Sequence, residues 1–411
     1  MPNTSDNTQR RRSAAPSLHN GRNGRSGRAP ALPDLLPDLL RSRAARDAGQ
    51  LLAELLRPPT RGDAGPIIGG LVLGIGAGLA LERMAMLSET RLRPDPEAAE
   101  PFGTLTGTPS TVTSWDGTPI HVEELGAGPT LVFGHGFSMS GQAWHYQRRD
   151  LPGDFHCVFI DQRGHGASGR PASGDYSLEA IARDIGAVIG WTAEDSRPGK
   201  VVLVMHSMSG MAALKLAELE PELIAARVAG VVLVDTSYAD NLRGMAAALS
   251  SRGPAKLQLA LYSAAYRMAG QDPPRALQLR RRGSDMGYLT TRWFGFGSNP
   301  SPSQVAFTDR LLARTPVDVW AQMFPRLLDF DLEHVLQALP IPALVVAGDT
   351  DRLFPVAAAR HMADTIPDAR LLILPDSGHM AFMEEHELLD RELAAFAAEV
   401  LGAAPAAGTG A

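Results

Sequence analysis

Short runs of branched apolar residues recur along the chain, each ending in polar residues or glycine. They are "PTLVFGHG", "FHCVFIDQRG", "VVLVMHS", "VAGVVLVDTS", "IPALVVAGDTD" and "ARLLILPDSGH". Continuously apolar runs of this length, rather than alternating ones, predict strands buried on both faces. Helical patterns such as "SLEAIARDIGAVIGWTAE" and "MAALKLAELEPEL" lie between several of them. Strands alternating with helices predict an α/β domain, a mostly parallel sheet covered on both faces. Ahead of them "STVTSWDGTPIHVEELG" alternates and turns at Asp116-Gly117, which predicts a hairpin. Ligands of such sheets sit at the carboxyl ends of the strands, where the polar residues discussed below fall.

The core is expected over residues 102–237 and 336–401. Between these parts, residues 238–335 show no strand-like core run and are helix-rich with many Arg. An insertion there, above the carboxyl ends of the strands, predicts a helical cap. Its irregular stretch "RRRGSDMGYLTTRWFGFGSNPSPSQ" has the texture of a mobile lid. Residues 402–411 read as a frayed tail.

The first sixty residues have a different texture. Residues 1–61 hold eleven Arg, no Lys and five acidic residues, and the first thirty show no apolar period. Such a segment cannot bury enough surface to offset its ordering entropy, so disorder is expected to about Pro30. Leu pairs at near-helical spacing over 31–57 predict one or two amphipathic helices. A Gly-rich apolar helix is then expected over 66–90. Its uncharged stretch, Ile67 to Leu81, spans 15 residues, short against the roughly 20 of a bilayer-spanning helix. Gly70, Gly74 and Gly78 repeat a small-xxx-small face suited to close helix approach in membranes. Membrane association through 66–86 is the expectation, and a cytoplasmic protein with this helix lying on the soluble domain is the alternative. If the helix spans, the Arg-rich leader favours an N-terminus inside.

Net charge of -6 argues against a nucleic-acid partner, because phosphate contacts need clustered Lys and Arg. The single cysteine, Cys157, excludes an internal disulfide and any cysteine-based metal site, and its apolar run makes it a core residue. "GLVLGIGAGLALE" lacks a following dinucleotide unit, and no His, Asp or Glu cluster shows metal-ligand spacing, which argues against a metal hydrolase. Neither cofactor nor metal is expected.

Candidate chemistry begins in "VVLVMHSMSGM", where a hydroxyl stands alone between a buried strand and a helix. Ser207 either caps the helix or is a nucleophile presented on a sharp turn. A serine nucleophile needs a base, an acid that orients it and donors for the oxyanion. His379 follows "LLILPDSG" and Asp351 follows "ALVVAGDT", both at strand ends. "GHGFSMSGQAW", "DQRGHGASG", "GDTDRLFP" and "DSGHMAFMEEH" appear in that order around them.

In these motifs the chain from about Thr104 to Leu401 resembles the α/β-hydrolase superfamily. The likeness is to its serine esterases, lipases and cofactor-free haloperoxidases or perhydrolases, of a type with an apolar N-terminal helix found in actinobacteria. The resemblance implies a triad of Ser207, Asp351 and His379, supplied in that family's chain order. It implies an oxyanion hole from the backbone N–H groups of Phe137 and Met208. His135 and Gly136 would support the loop that carries Phe137. The Asp161–Gly169 turn, with His165, would be structural. Asp235, which also ends a core strand, is the alternative acid, and His206 is read as packing.

The family's elbow is usually Gly-x-Ser-x-Gly, and here it reads Met205-His206-Ser207-Met208-Ser209. Met is expected to bend aside. The resulting expectation is a serine hydrolase cleaving carboxylic esters through an acyl-enzyme. Its partner would be a small-molecule ester whose acyl group is hydrophobic, given the aromatic stretches of the cap. The same triad would serve a perhydrolase or an acyltransferase. A ligand-binding protein that has kept the fold without efficient catalysis is the reading from a different class.

Overall fold

The apolar runs form an eight-stranded sheet in a computed structural model that describes residues 93–194, 199–239, 285–328 and 330–402. The strands are β1 (Thr108–Thr113), β2 (Pro119–Leu125), β3 (Thr130–Gly134), β4 (His156–Ile160), β5 (Val201–His206), β6 (Val228–Val234), β7 (Ala343–Gly348) and β8 (Ala369–Leu374). Their spatial order is β1-β2-β4-β3-β5-β6-β7-β8. β1 and β2 form the expected hairpin, β2 pairs antiparallel with β4, and every later pairing is parallel. All residues of β3 to β7 are buried, which is why these strands lack alternation in the sequence.

The helices are α1 (His145–Asp150), α2 (Leu178–Glu194), α3 (Met208–Leu219), α4 (Pro221–Arg227), α5 (Asp285–Gly295), α6 (Pro302–Arg314), α7 (Val317–Met323), α8 (Glu333–Ala338), α9 (Val356–Thr365), α10 (Ala381–Glu384) and α11 (His386–Leu401). Successive strand residues feed opposite layers. Leu203 and Met205 pack with Ile181 and Ile185 of α2 and Met211 and Leu214 of α3. Val202 and Val204 pack with Tyr146 of α1 and Leu389, Leu393 and Phe396 of α11. Each such side chain contributes about 1.5–3 kcal/mol when fully buried. The helical pattern "MAALKLAELEPEL" divides: α3 stops at Leu219, and Pro221, which lacks an amide hydrogen, opens α4 instead.

Part of the segment between β6 and β7 is described, and it supplies α5, α6, α7 and α8. The expected leader over 1–60, the apolar helix over 66–90, residues 240–284 of the expected cap and the tail beyond 402 lie outside the described residues. Among the described residues no helix is long and apolar enough to cross a membrane.

Among the described residues, the "DQRGHGASG" turn after β4 carries the most buried ion pair. Arg163 Nε and Nη2 donate to Asp184 at 2.6 and 2.7 Å, and both side chains are fully buried. Nη1 donates to Asp116 at 3.0 Å and to the Asp175 carbonyl at 2.8 Å. The hairpin turn, the β4 turn and α2 are thereby tied at one guanidinium. Arg163→Leu is expected to destabilise the fold by about 3–5 kcal/mol, because it leaves the Asp184 carboxylate buried without its cation. Adding Asp184→Leu is expected to recover much of that loss in urea unfolding. A single-mutant loss below about 1 kcal/mol, the range of a surface pair, would show that the triad of charges is not needed.

Candidate active site

Every sequence-predicted site residue lies at the carboxyl end of a strand. Ser207 follows β5, and its backbone takes φ 51 and ψ −116. This conformation costs a non-glycine residue on the order of 1–3 kcal/mol and persists only where the surroundings fix it. Here the Ser207 amide donates to the Val234 carbonyl at 3.0 Å, and its carbonyl accepts from Thr236 Oγ1 at 2.6 Å and the Gly210 amide at 2.9 Å. Ser207 occupies the N-cap position of α3 yet makes no capping bond from its side chain. Its Oγ lies 3.1 Å from His379 Nε2 instead. The helix-capping reading therefore fails.

His379 Nδ1 lies 2.9 Å from Asp351 Oδ2. A carboxylate only accepts, so Nδ1 carries the proton and Nε2 turns a lone pair toward Ser207. Asp351 Oδ1 accepts from the amides of Leu353 and Phe354 at 2.7 and 3.1 Å, which fixes the carboxylate plane. All three side chains are buried, with Ser207 and His379 each 6% exposed. The Phe354 ring packs against the imidazole at 5.4 Å between centroids.

Asp235, the alternative acid, has no bond to His379. Its Oδ1 accepts from the Gly348 amide at 2.8 Å and its Oδ2 from the Ala381 amide at 3.3 Å. It joins the end of β7 to the start of α10, so it braces the loops that carry both Asp351 and His379. Burial, and then the neighbouring charge of Asp351, holds its carboxyl well above the usual range.

Room for Met205 is made on the neighbouring strand. Gly134 on β3 is its register partner, and a Cβ there would sit 2.7 Å from Met205 Sδ and 2.7 Å from Ser209 Cβ. Ser209 uses the space that a glycine would leave empty. Its hydroxyl donates to the His135 carbonyl at 2.6 Å and accepts from Gln162 Nε2 at 2.8 Å. The bulkier elbow is thus stitched to the β3 loop rather than strained by it.

That loop approaches the serine closely. A Cβ on Gly136 would stand 2.6 Å from His206 Nδ1 and 3.1 Å from Ser207 Cβ, so only glycine admits the backbone here. His135 accepts the Gln162 amide on Nε2 at 2.9 Å and donates from Nδ1 to the Gly136 carbonyl at 2.7 Å. Burial pushes its imidazole down to about 4, so it is neutral near pH 7. Past Phe137, Ser138 takes φ 63, and its amide donates to His165 Nε2 at 3.2 Å. His165, pushed down to about 3 by burial, is fixed by its own bond to the Arg163 carbonyl at 3.1 Å. The backbone on both sides of the Phe137 amide is therefore held. The Met208 amide opens α3 and is one of the N-terminal N–H groups that no helical carbonyl satisfies. The helix dipole adds partial positive charge there.

His206 packs, as its sequence position suggests, and it also bonds. Its Nε2 donates to the His379 carbonyl at 3.0 Å. Glu384 is a residue that the sequence reading missed. It accepts from the Gly378 amide at 2.7 Å and from the Gly297 amide at 2.9 Å, and burial pushes its carboxyl up to about 8. Together with the Met380 amide, which donates to the Gly295 carbonyl at 2.7 Å, it ties the end of α5 to the His379 loop. The signal was available only as an acidic residue five places after the histidine. Cys157 is fully buried and has no part in the site.

The family whose description is alpha/beta hydrolase fold matches residues 129–386. AB hydrolase superfamily protein YisY of Bacillus subtilis (strain 168) is 28% identical over 281 residues, covering 67% of this chain and 94% of that protein. The pimeloyl-[acyl-carrier protein] methyl ester esterase of Vibrio campbellii (strain ATCC BAA-1116) is 26% identical over 287 residues, covering 68% and 99%. Among solved structures, an esterase from Exiguobacterium antarcticum superposes with a TM-score of 0.55 at 24% identity, covering 70% of this chain and 98% of that one. The match runs from the start of β3 past His379 and so takes in every strand-end residue described above: the chain belongs to the alpha/beta hydrolase fold family.

Proposed function

We propose that this protein is a serine hydrolase of carboxylic esters with a hydrophobic acyl group, acting through an acyl-enzyme. The observation that carries the reading is the continuous bond path Asp351–His379–Ser207, at 2.9 and 3.1 Å, on a strained serine. Ser207 Oγ attacks the acyl carbon while its proton passes to His379 Nε2. Asp351 holds the imidazole tautomer and stabilises the imidazolium. The amides of Phe137 and Met208 receive the oxyanion, and collapse expels the alcohol, protonated by His379. Water, deprotonated by His379, then attacks the ester carbonyl; the acyl–Oγ bond breaks as His379 returns the proton to Ser207 Oγ, and the carboxylic acid is released. The relative from Vibrio campbellii named a methyl ester esterase supports the choice of ester over other acyl bonds.

The acyl preference rests on aromatic side chains beside the Phe137 amide. Phe137, Trp320 of α7 and Phe324 pack in a group, with Trp320 and Phe324 stacked at 4.9 Å and each 5.8 Å from Phe137. Across p-nitrophenyl esters, kcat/KM is expected to rise from acetate to longer acyl chains, with a burst of p-nitrophenol equal to the enzyme present. A folded protein that gives neither burst nor turnover with any ester in the series overturns the reading. Peracid formed from acetate and hydrogen peroxide in place of ester hydrolysis would reassign the reaction with the triad intact.

A further inference from the structure

We propose that Asp150, His386 and Asp390 form a divalent transition-metal site, fitted to Zn2+, that staples α1 to α11. One ligand atom from each residue lies within 4.8 Å of the others, and His386 Nδ1 is already 3.7 Å from Asp150 Oδ2. Tetrahedral Zn2+ bonds of about 2.0–2.1 Å require ligand atoms about 3.4 Å apart. Closing the group therefore takes side-chain adjustment of about an ångström, with no movement of the helices.

Two atoms of these residues are orphaned. Asp390 is 8% exposed, and its Oδ1 is engaged by Gln147 Nε2 at 2.8 Å while its Oδ2 has no partner. An unpaired oxygen on a buried carboxylate is costly unless a proton or a cation meets it. His386 Nδ1 likewise has no hydrogen-bond partner. Its ring is held by stacking on Tyr146, at 3.8 Å and 7° between planes, which presets the direction of the lone pair. His386 and Asp390 are four residues apart on α11, so they project from one face.

Charge of both signs surrounds the site, the Arg149 guanidinium opposing a cation and Asp150 and Glu97 favouring one. Arg149 grips Asp150 through two bonds of 2.7 and 2.8 Å and is shared with Glu100 at 3.1 Å. Asp150 Oδ2 retains a second lone pair beside that grip. Glu97 adds negative charge at the His386 ring, and its Oε2 is without a partner. One imidazole nitrogen with two carboxylate oxygens suits Zn2+ or Mn2+, whereas Ca2+ takes six to eight oxygens. Asp150 and His386 keep partial exposure, 35% and 17%, which leaves an entry path and a position for water.

The inference does not depend on the proposed reaction, and its test avoids activity. The untagged full-length chain, stripped with EDTA and dialysed, is titrated with ZnCl2 and followed by metal analysis and thermal unfolding. The expected result is one bound equivalent and a Tm rise of a few degrees at saturating metal. His386→Gln and Asp150→Asn, both at partly exposed positions, are each expected to weaken Zn2+ binding about tenfold or more without lowering the metal-free Tm appreciably. No uptake by the folded wild type overturns the site. Equal uptake by both variants overturns it too, because the ion would then be bound elsewhere.

Discussion

Ser207→Ala is expected to lower kcat/KM for a p-nitrophenyl ester by about 10⁴-fold or more, leaving only what the oxyanion donors and binding supply. The loss is that large because in the proposed reaction the hydroxyl forms the acyl bond; among the described residues no other side chain is hydrogen-bonded to His379 Nε2. Stability should change little. Alanine at φ 51 carries the same backbone strain as serine, and the lost side-chain bond is worth about 1 kcal/mol. A fluorophosphonate probe should label the wild type at Ser207 and fail to label Ser207→Ala, with slow labelling of His379→Ala. Wild-type turnover by a purified, folded Ser207→Ala chain would remove the nucleophile assignment.

Asp351→Asn is expected to lower kcat by about 10⁴-fold through the tautomer it enforces. Asp351 Oδ1 is fixed as an acceptor by the amides of Leu353 and Phe354. An asparagine must keep its oxygen there and turn its NH2 toward His379 Nδ1. The imidazole then accepts on Nδ1 and carries its proton on Nε2, facing Ser207 as a donor. Asp235→Asn perturbs only the brace between Gly348 and Ala381 and is expected to cost about tenfold, with KM moving as well as kcat. If Asp235→Asn proves the more damaging of the two, the acid has been assigned to the wrong strand end.

The sheet was legible because its central strands are buried on both faces, and a doubly buried strand writes itself as an unbroken apolar run. Ser207, Asp351 and His379, which the structure joins by hydrogen bonds, could be singled out because ligands of parallel sheets sit at the carboxyl ends of the strands, so the residues just past each run were the ones to weigh. Contacts between strands were not legible. Nothing along the chain says that Gly134 faces Met205, because that depends on the register of β3 against β5. Asp235 could be named as a polar strand end, but its service to Gly348 and Ala381 depends on where two later loops return. His386 and Asp390 stand four apart on one helix, but their approach to Asp150, more than two hundred residues away in the chain, depends on how α1 and α11 meet and was not legible either.

Gly134, Met205 and Ser209 behave as one steric unit, and that fixes the order in which these positions can change. Glycine at 205 or 209 removes atoms and is admitted whatever stands opposite. A side chain at 134 meets Met205 Sδ and Ser209 Cβ, both at 2.7 Å, so it is admitted only after Met205 has shifted or shrunk and Ser209 has become small. Of the routes between this elbow and a Gly-x-Ser-x-Gly elbow facing a larger residue, those that begin at 134 pass through an overpacked intermediate. Those that begin at 205 and 209 do not, and drift in sequence at this site is accordingly directional.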